Sequence, residues 1–169
     1  MDTAIIIGNL CTLVAMGFNA LSSTRKTTKG ILWTQNASQG VYAISGIVLG
    51  GYSATVQNLV SIVRNFVAMT KLGSKIIEWT LVILGVVVGI AVNNRGWVGL
   101  LPVIGNLQYT LAIFKFKNDE RKIKLFFLFS VIAFVFFNFA ISNYVGVAAD
   151  SFVIITTSIM LLKDAKKKA

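Results

Sequence analysis

The chain has no histidine, one cysteine, one proline and only six acidic residues. Without histidine, the commonest general base, transition-metal ligand and pH switch all disappear together. A lone Cys11 excludes an intramolecular disulfide and leaves the redox compartment open. The acids outside the charged loops and termini are Glu78 and Asp150, on separate apolar blocks, so no acid–base pair or nucleophile constellation can be assembled. No enzymatic activity, cofactor or metal site is expected. A nucleotide-binding loop is also missing, which excludes ATP-driven pumping within this chain.

Charge is scarce as well. Only 13% of residues are charged, against 56% hydrophobic, and the mean hydropathy is +0.77. A soluble domain normally carries about 25% charged residues. The apolar residues form blocks of roughly 17 to 20, the length that crosses a hydrocarbon core as a helix. The fold class expected is all-α and integral to a membrane, with seven transmembrane helices at 3–21, 30–49, 52–70, 76–92, 97–114, 125–141 and 144–162.

The net charge of +10 raises the question of nucleic acid. Here the basic residues sit in short loops between apolar blocks rather than along one face, which orients a chain in a bilayer and attracts anionic lipid headgroups. With odd-numbered helices running inward, fifteen of the sixteen Lys and Arg residues fall on one side and Arg95 alone on the other. The positive-inside rule then places the N-terminus outside and the C-terminus in the cytoplasm. The first block has Met1-Asp2 before it and Arg25-Lys26 after it. Those flanks are the reverse of a signal peptide's and predict an uncleaved helix.

An internal repeat is visible. Ile7-Gly8-Asn9-Leu10 recurs as Ile104-Gly105-Asn106-Leu107, each followed by a basic loop, a helix and a glycine-bearing turn with Ala at the same spacing, Gly51 and Ala54 against Gly146 and Ala149. The organisation expected is a first triple-helix repeat at 1–71, a linker helix at 72–96, a second triple-helix repeat at 97–163 and a basic tail at 164–169. An odd linker makes the two repeats parallel, a transporter plan that puts the site at the repeat interface.

Leu100-Leu101-Pro102-Val103-Ile104-Gly105, with Gly51-Tyr52 and Arg64, resembles the bacterial inner-membrane YgjV family over most of the chain. That resemblance implies a bacterial inner-membrane location and no particular activity. The 3+1+3 layout is similar to that of SWEET sugar facilitators, PnuC-type vitamin transporters and PQ-loop (MtN3-like) proteins, an architectural analogy only. SWEET-type proteins carry hinge prolines in several helices, whereas Pro102 stands alone here.

Polar side chains within spans need their own explanation, because helix backbone amides already satisfy one another. Asn9 and Asn106, matched by the repeat, are expected to face a shared cavity, or else to bond between helices. Gln57, Ser61 and Arg64 fall at i, i+4 and i+7 and should share one inward face, with Asn58 and Asn65 flanking it. Arg64 would either snorkel to the headgroups or meet an anionic group, on a solute or on Asp150. Gln39 and Tyr42 offer a second polar face, and Asn138 lies among phenylalanines. Asp150 is a candidate for coupling, and Pro102 for gating, since it sits a turn into the fifth span and should deprive the Val98 carbonyl of its partner.

The function expected is a facilitator of a small polar metabolite (a sugar, nucleoside or vitamin-like compound) by alternating access. The alternative is a non-transporting receptor, sensor or assembly protein of the same architecture. The partners expected are the solute and membrane lipids, with room for a homo-oligomer and no nucleic acid.

Overall fold

A computed structural model describes residues 2–23, 28–70, 74–116 and 119–166. Arg25, Lys26, Lys71, Lys117, Lys167 and Lys168, part of the charge asymmetry above, lie outside the described residues. Among the described residues there are seven α-helices and no strand: α1 (Thr3–Ser23), α2 (Thr28–Val48), α3 (Tyr52–Thr70), α4 (Lys75–Ala91), α5 (Leu101–Lys115), α6 (Glu120–Ala140) and α7 (Tyr144–Lys166), with a 3-10 turn at Val98–Leu100 before α5.

What is buried identifies the solvent. The interior holds Thr12, Asn36, Ser38, Ser45, Gln57, Asn65, Thr110 and Ser130, while Leu10, Leu13, Ile44, Val87, Phe136 and Phe152 are exposed. A soluble protein sorts these residues the other way. Lipid tails solvate the large apolar groups, and small polar residues draw the helices together. Thus Ser45 Oγ on α2 donates to the Gly8 carbonyl of α1 (2.8 Å), and Ser38 Oγ donates to Ala15 O (2.8 Å).

Among the described residues, three helices have the length and apolarity to cross a membrane by composition alone: Thr3–Leu21, Arg121–Ala140 and Tyr144–Leu162. The others fall short for physical reasons. Glutamines and asparagines on α2 and α3 lower their hydropathy, and α4 and α5 have 17 and 15 residues. Two boundaries also differ from expectation, and one is the end of α7, which runs on to Lys166 rather than Leu162. The segment 120–124, expected in a charged loop, is the first part of α6, capped by Asp119, whose carboxylate accepts from Lys122 N (3.1 Å) and bridges its ammonium (3.0 Å). Hydropathy marks where the apolar layer ends, and the helix continues beyond it.

Packing follows chain order: α1 on α2 on α3, and α5 on α6 on α7, with α4 bridging α3 to α5. Two further contacts join the triplets, α3 with α5 and α7 with α1. Exchanging the triplets maps one of these contacts onto the other. Both second helices also end alike. Gly50 (φ +67) lets Gly51 N bond Gly46 O and Gly50 N bond Ile47 O. Ser142 (φ 61) does the same on α6, with Asn143 N to Asn138 O and Ser142 N to Phe139 O. This is the C-terminal cap that needs a left-handed residue. The turn thus pairs Gly50-Gly51-Tyr52 with Ser142-Asn143-Tyr144. Gly146, matched to Gly51 by sequence spacing, is already inside α7.

One end of the bundle is closed by apolar packing across both triplets. Leu49 and Ala54 meet Phe137 and Ile141, with Val98 and Leu101 against them. Arg95 lies at this same end, where Nε donates to Gly50 O (3.1 Å) and Nη2 to Leu49 O (2.8 Å). The single basic residue expected on this side is therefore occupied in capping α2.

Candidate functional site

A cavity of about 410 Å³ lies where the triplets and the linker helix meet. That volume is in the usual range for small-molecule sites, about 300–1,000 Å³. Helix α3 supplies Gln57, Val60, Arg64, Asn65 and Val67, spaced along one face. Helix α4 supplies Glu78, Leu81, Val82, Gly85 and Val86; α5 supplies Asn106, Leu107, Tyr109 and Thr110; α2 contributes Leu32.

The inner end is a ladder of amides. Asn106 Nδ2 donates to Gln57 Oε1 (2.7 Å), and Gln57 Nε2 donates to the Gly85 carbonyl (2.8 Å). Three helices, α5, α3 and α4, are thereby tied at one level. Gly89, one turn further along α4, makes room for the carboxamide: a Cβ there would lie 2.7 Å from Gln57 Nε2 and 2.8 Å from Val103 Cγ2. Beyond this ladder lies the apolar seal. From it the cavity extends toward the opposite, lysine-bearing end, reaching Glu78 in the first turn of α4 and Leu32 near the start of α2.

Arg64 lies between these ends. It stands six residues before the end of α3 and lines the cavity. The described ion pairs consist of Lys122 with Asp119, so Arg64 pairs neither with Asp150 nor with Glu78 among the described residues. Asn65 donates from Nδ2 to Asn36 Oδ1 (2.9 Å), fixing α3 to α2 beside the cavity.

Of the residues expected at the site, the structure brings Gln57, Arg64 and Asn106 together. Ser61 is buried on α3 but does not line the cavity. Asn9 does not share a chamber with Asn106. Its Nδ2 donates to Ile5 O (2.8 Å) and Ser142 O (2.9 Å), and its Oδ1 accepts from Val145 N (2.8 Å). Both halves of the amide are spent tying α1 to the α6–α7 turn. Even so, the two asparagines are counterparts, each reaching from the first helix of one triplet to the third helix of the other, or to the turn before it.

Asn138 and Asp150 belong to another network. Asn138 Nδ2 donates to Asp150 Oδ2 (2.8 Å), and its Oδ1 accepts from Asn143 Nδ2 (3.1 Å), whose own Oδ1 accepts from Gly146 N (3.1 Å). Tyr42 on α2 is hydrogen-bonded to Asn19 and has Asp150 as its charged neighbour. Gln39 Oε1 is buried without a partner among the described residues. None of these residues lines the cavity.

Pro102 does not deprive the Val98 carbonyl of a partner. The 3-10 turn delivers Leu101 N to Val98 O, and Pro102 occupies the first turn of α5, where a missing N–H costs nothing. Sequence reasoning left Tyr109, Thr110 and Glu78 out of the site. The signal for the first two was present: they stand three and four residues after Asn106, on its helical face.

The inverted sorting of polar and apolar residues and the bundle of apolar helices define a polytopic membrane protein. The chain belongs to the YgjV family, described as bacterial inner membrane protein, whose model matches residues 6–168. No match was found among curated proteins or among solved structures.

Proposed function

We propose that this protein binds a small polar metabolite (a sugar, nucleoside or vitamin-like compound) in the cavity between α3, α4 and α5 and carries it across the inner membrane. The observation that carries this reading is the cavity's position. It is walled by α2 and α3 of one triplet, by α5 of the other and by the helix that links them, so relative movement of the triplets would change which end is open. Parallel-repeat transporters place their sites at such an interface. The apolar seal and the amide ladder close one end, and the lysine-bearing end is the open one. With that end cytoplasmic, the N-terminus outside and the C-terminus inside, the cavity faces the cytoplasm, and the basic loops meet anionic headgroups.

Reconstitution into sealed liposomes, with counterflow measured over a panel of labelled metabolites, tests this function. Saturable flux of at least one solute is expected, falling about tenfold or more when Gln57→Ala and Asn106→Ala are combined, since together they remove the ladder's side-chain amides from the cavity wall. Saturable binding without flux would make the chain a receptor or sensor. Flux unaffected by both substitutions would remove the cavity from the pathway.

A further inference from the structure

The polar groups of the cavity do not balance, and the imbalance has a sign. Gln57 uses its carboxamide in both directions, to Asn106 and to Gly85. Asn65 donates to Asn36. Arg64 is different. A guanidinium carries five N–H donors and no acceptor, and it remains protonated at any physiological pH. Among the described residues it makes no salt bridge, and its electrostatic neighbour is the uncharged Tyr109 hydroxyl. A charge held inside a bilayer protein without a partner is costly, and such residues mark ligand or ion pathways.

Its depth matters too. Arg64 is six residues short of the last residue of α3, Thr70, which is about 9 Å along the axis at 1.5 Å per residue. Glu78 is three residues into α4, about 5 Å by the same measure. The cation thus stands deeper than the acid, which guards the open end. Val60, Leu81, Val82 and Leu107 give the same cavity uncharged, apolar walls.

We infer that the solute is a small organic monocarboxylate whose carboxylate is held by Arg64, with its uncharged polar body directed toward Asn106 and the amide ladder. This deepens the solute-site reading above and rests on it. One guanidinium matches one carboxylate, and bidentate hydrogen bonding is the geometry that arginine offers such a group. Glu78 at the entrance and the apolar walls disfavour a second negative charge on the same molecule. Neutral sugars would leave Arg64 without a counter-charge, whereas a sugar acid or a vitamin-like acid would supply one. An anionic lipid headgroup has the same charge and is the other source of a partner for Arg64.

The test uses the purified full chain in neutral detergent, followed by thermal unfolding. The probes are matched pairs of small carboxylic acids and their primary amides, then dicarboxylates, then phosphatidylglycerol. Acids should raise Tm and their amides should not. In Arg64→Gln the apparent Kd for the acids should weaken about tenfold or more, the loss expected when a charge-assisted hydrogen bond is removed. Arg64→Lys, which keeps the charge but not the fork, should recover part of it. An unchanged elution profile in size-exclusion chromatography, with retained lipid-free helicity, shows that a variant has folded. Acids and amides acting equally, with sensitivity to Asn106→Ala but not to Arg64→Gln, would overturn the carboxylate while leaving a polar-solute site in place. Stabilisation through Arg64 by phosphatidylglycerol alone would overturn it in favour of a headgroup. No stabilisation by any probe would overturn both readings.

Discussion

At the scale of single residues, the site depends on two glycines that behave differently. Gly85 gives its carbonyl to Gln57, and a Cβ there would find its nearest atoms 3.5 Å away on Val60. Gly89 has no such room, with Gln57 Nε2 at 2.7 Å. Gly89→Ala should therefore displace the Gln57 carboxamide and weaken solute binding several-fold, with a stability loss of about 1–3 kcal/mol from overpacking. Gly85→Ala should leave both nearly unchanged. Binding isotherms and thermal unfolding on the two variants check this, and equal effects would mean that the ladder is not held by close packing. The same scale shows why Asn9 and Asn106 were hard to separate in the sequence. Both are asparagines after a glycine in the first helix of a triplet. Only the neighbours differ: Asn106 meets a glutamine side chain, and Asn9 meets turn backbone.

At the scale of elements, Asn9 is the pin between α1 and the start of α7. Asn9→Ala leaves the Val145 N–H and the Ser142 carbonyl without that partner, and should cost about 1–3 kcal/mol of stability while solute affinity is retained. Asn106→Ala should show the converse emphasis, with affinity falling by more than stability. Thermal unfolding and solute titration on the pair separate these roles, and a loss of affinity in Asn9→Ala at unchanged stability would return Asn9 to the site. Much of the helical plan was legible, because apolar blocks of spanning length admit little else in lipid. The ends of α6 and α7 were not legible, since helices extend past the apolar layer into Arg121–Lys124 and toward Lys166. Pro102 misled for a related reason. A proline is disruptive only in a helix interior, and the 3-10 turn at Val98–Leu100 moves the start of α5 up to it. The stripe on α3 faces inward as its spacing predicts, with Gln57 and Arg64 at the cavity and Ser61 buried beside it. A polar face in a membrane bundle serves helix contacts and cavity alike, and spacing does not divide the two.

At the scale of the whole molecule, polar residues of α3, α4 and α5 line a cavity, whereas those of α6 and α7 bond to one another. The Asn138–Asp150–Asn143 network is closed on itself through hydrogen bonds between α6 and α7. The α3–α4–α5 cavity has the apolar cluster of Leu49, Phe137 and Ile141 beyond one end and one guanidinium, Arg64, that makes no salt bridge among the described residues. On the proposed function, such a bundle would admit solute from the lysine-bearing side. The most direct test replaces Val82, which lines the cavity, with cysteine in a Cys11→Ser background and adds a membrane-impermeant maleimide to oriented vesicles. Labelling is expected from the lysine-bearing side alone, slowed by a bound solute, and should appear from the other side once Gln57→Ala breaks the ladder. Equal labelling from both sides of the parent, or none from either, would contradict it.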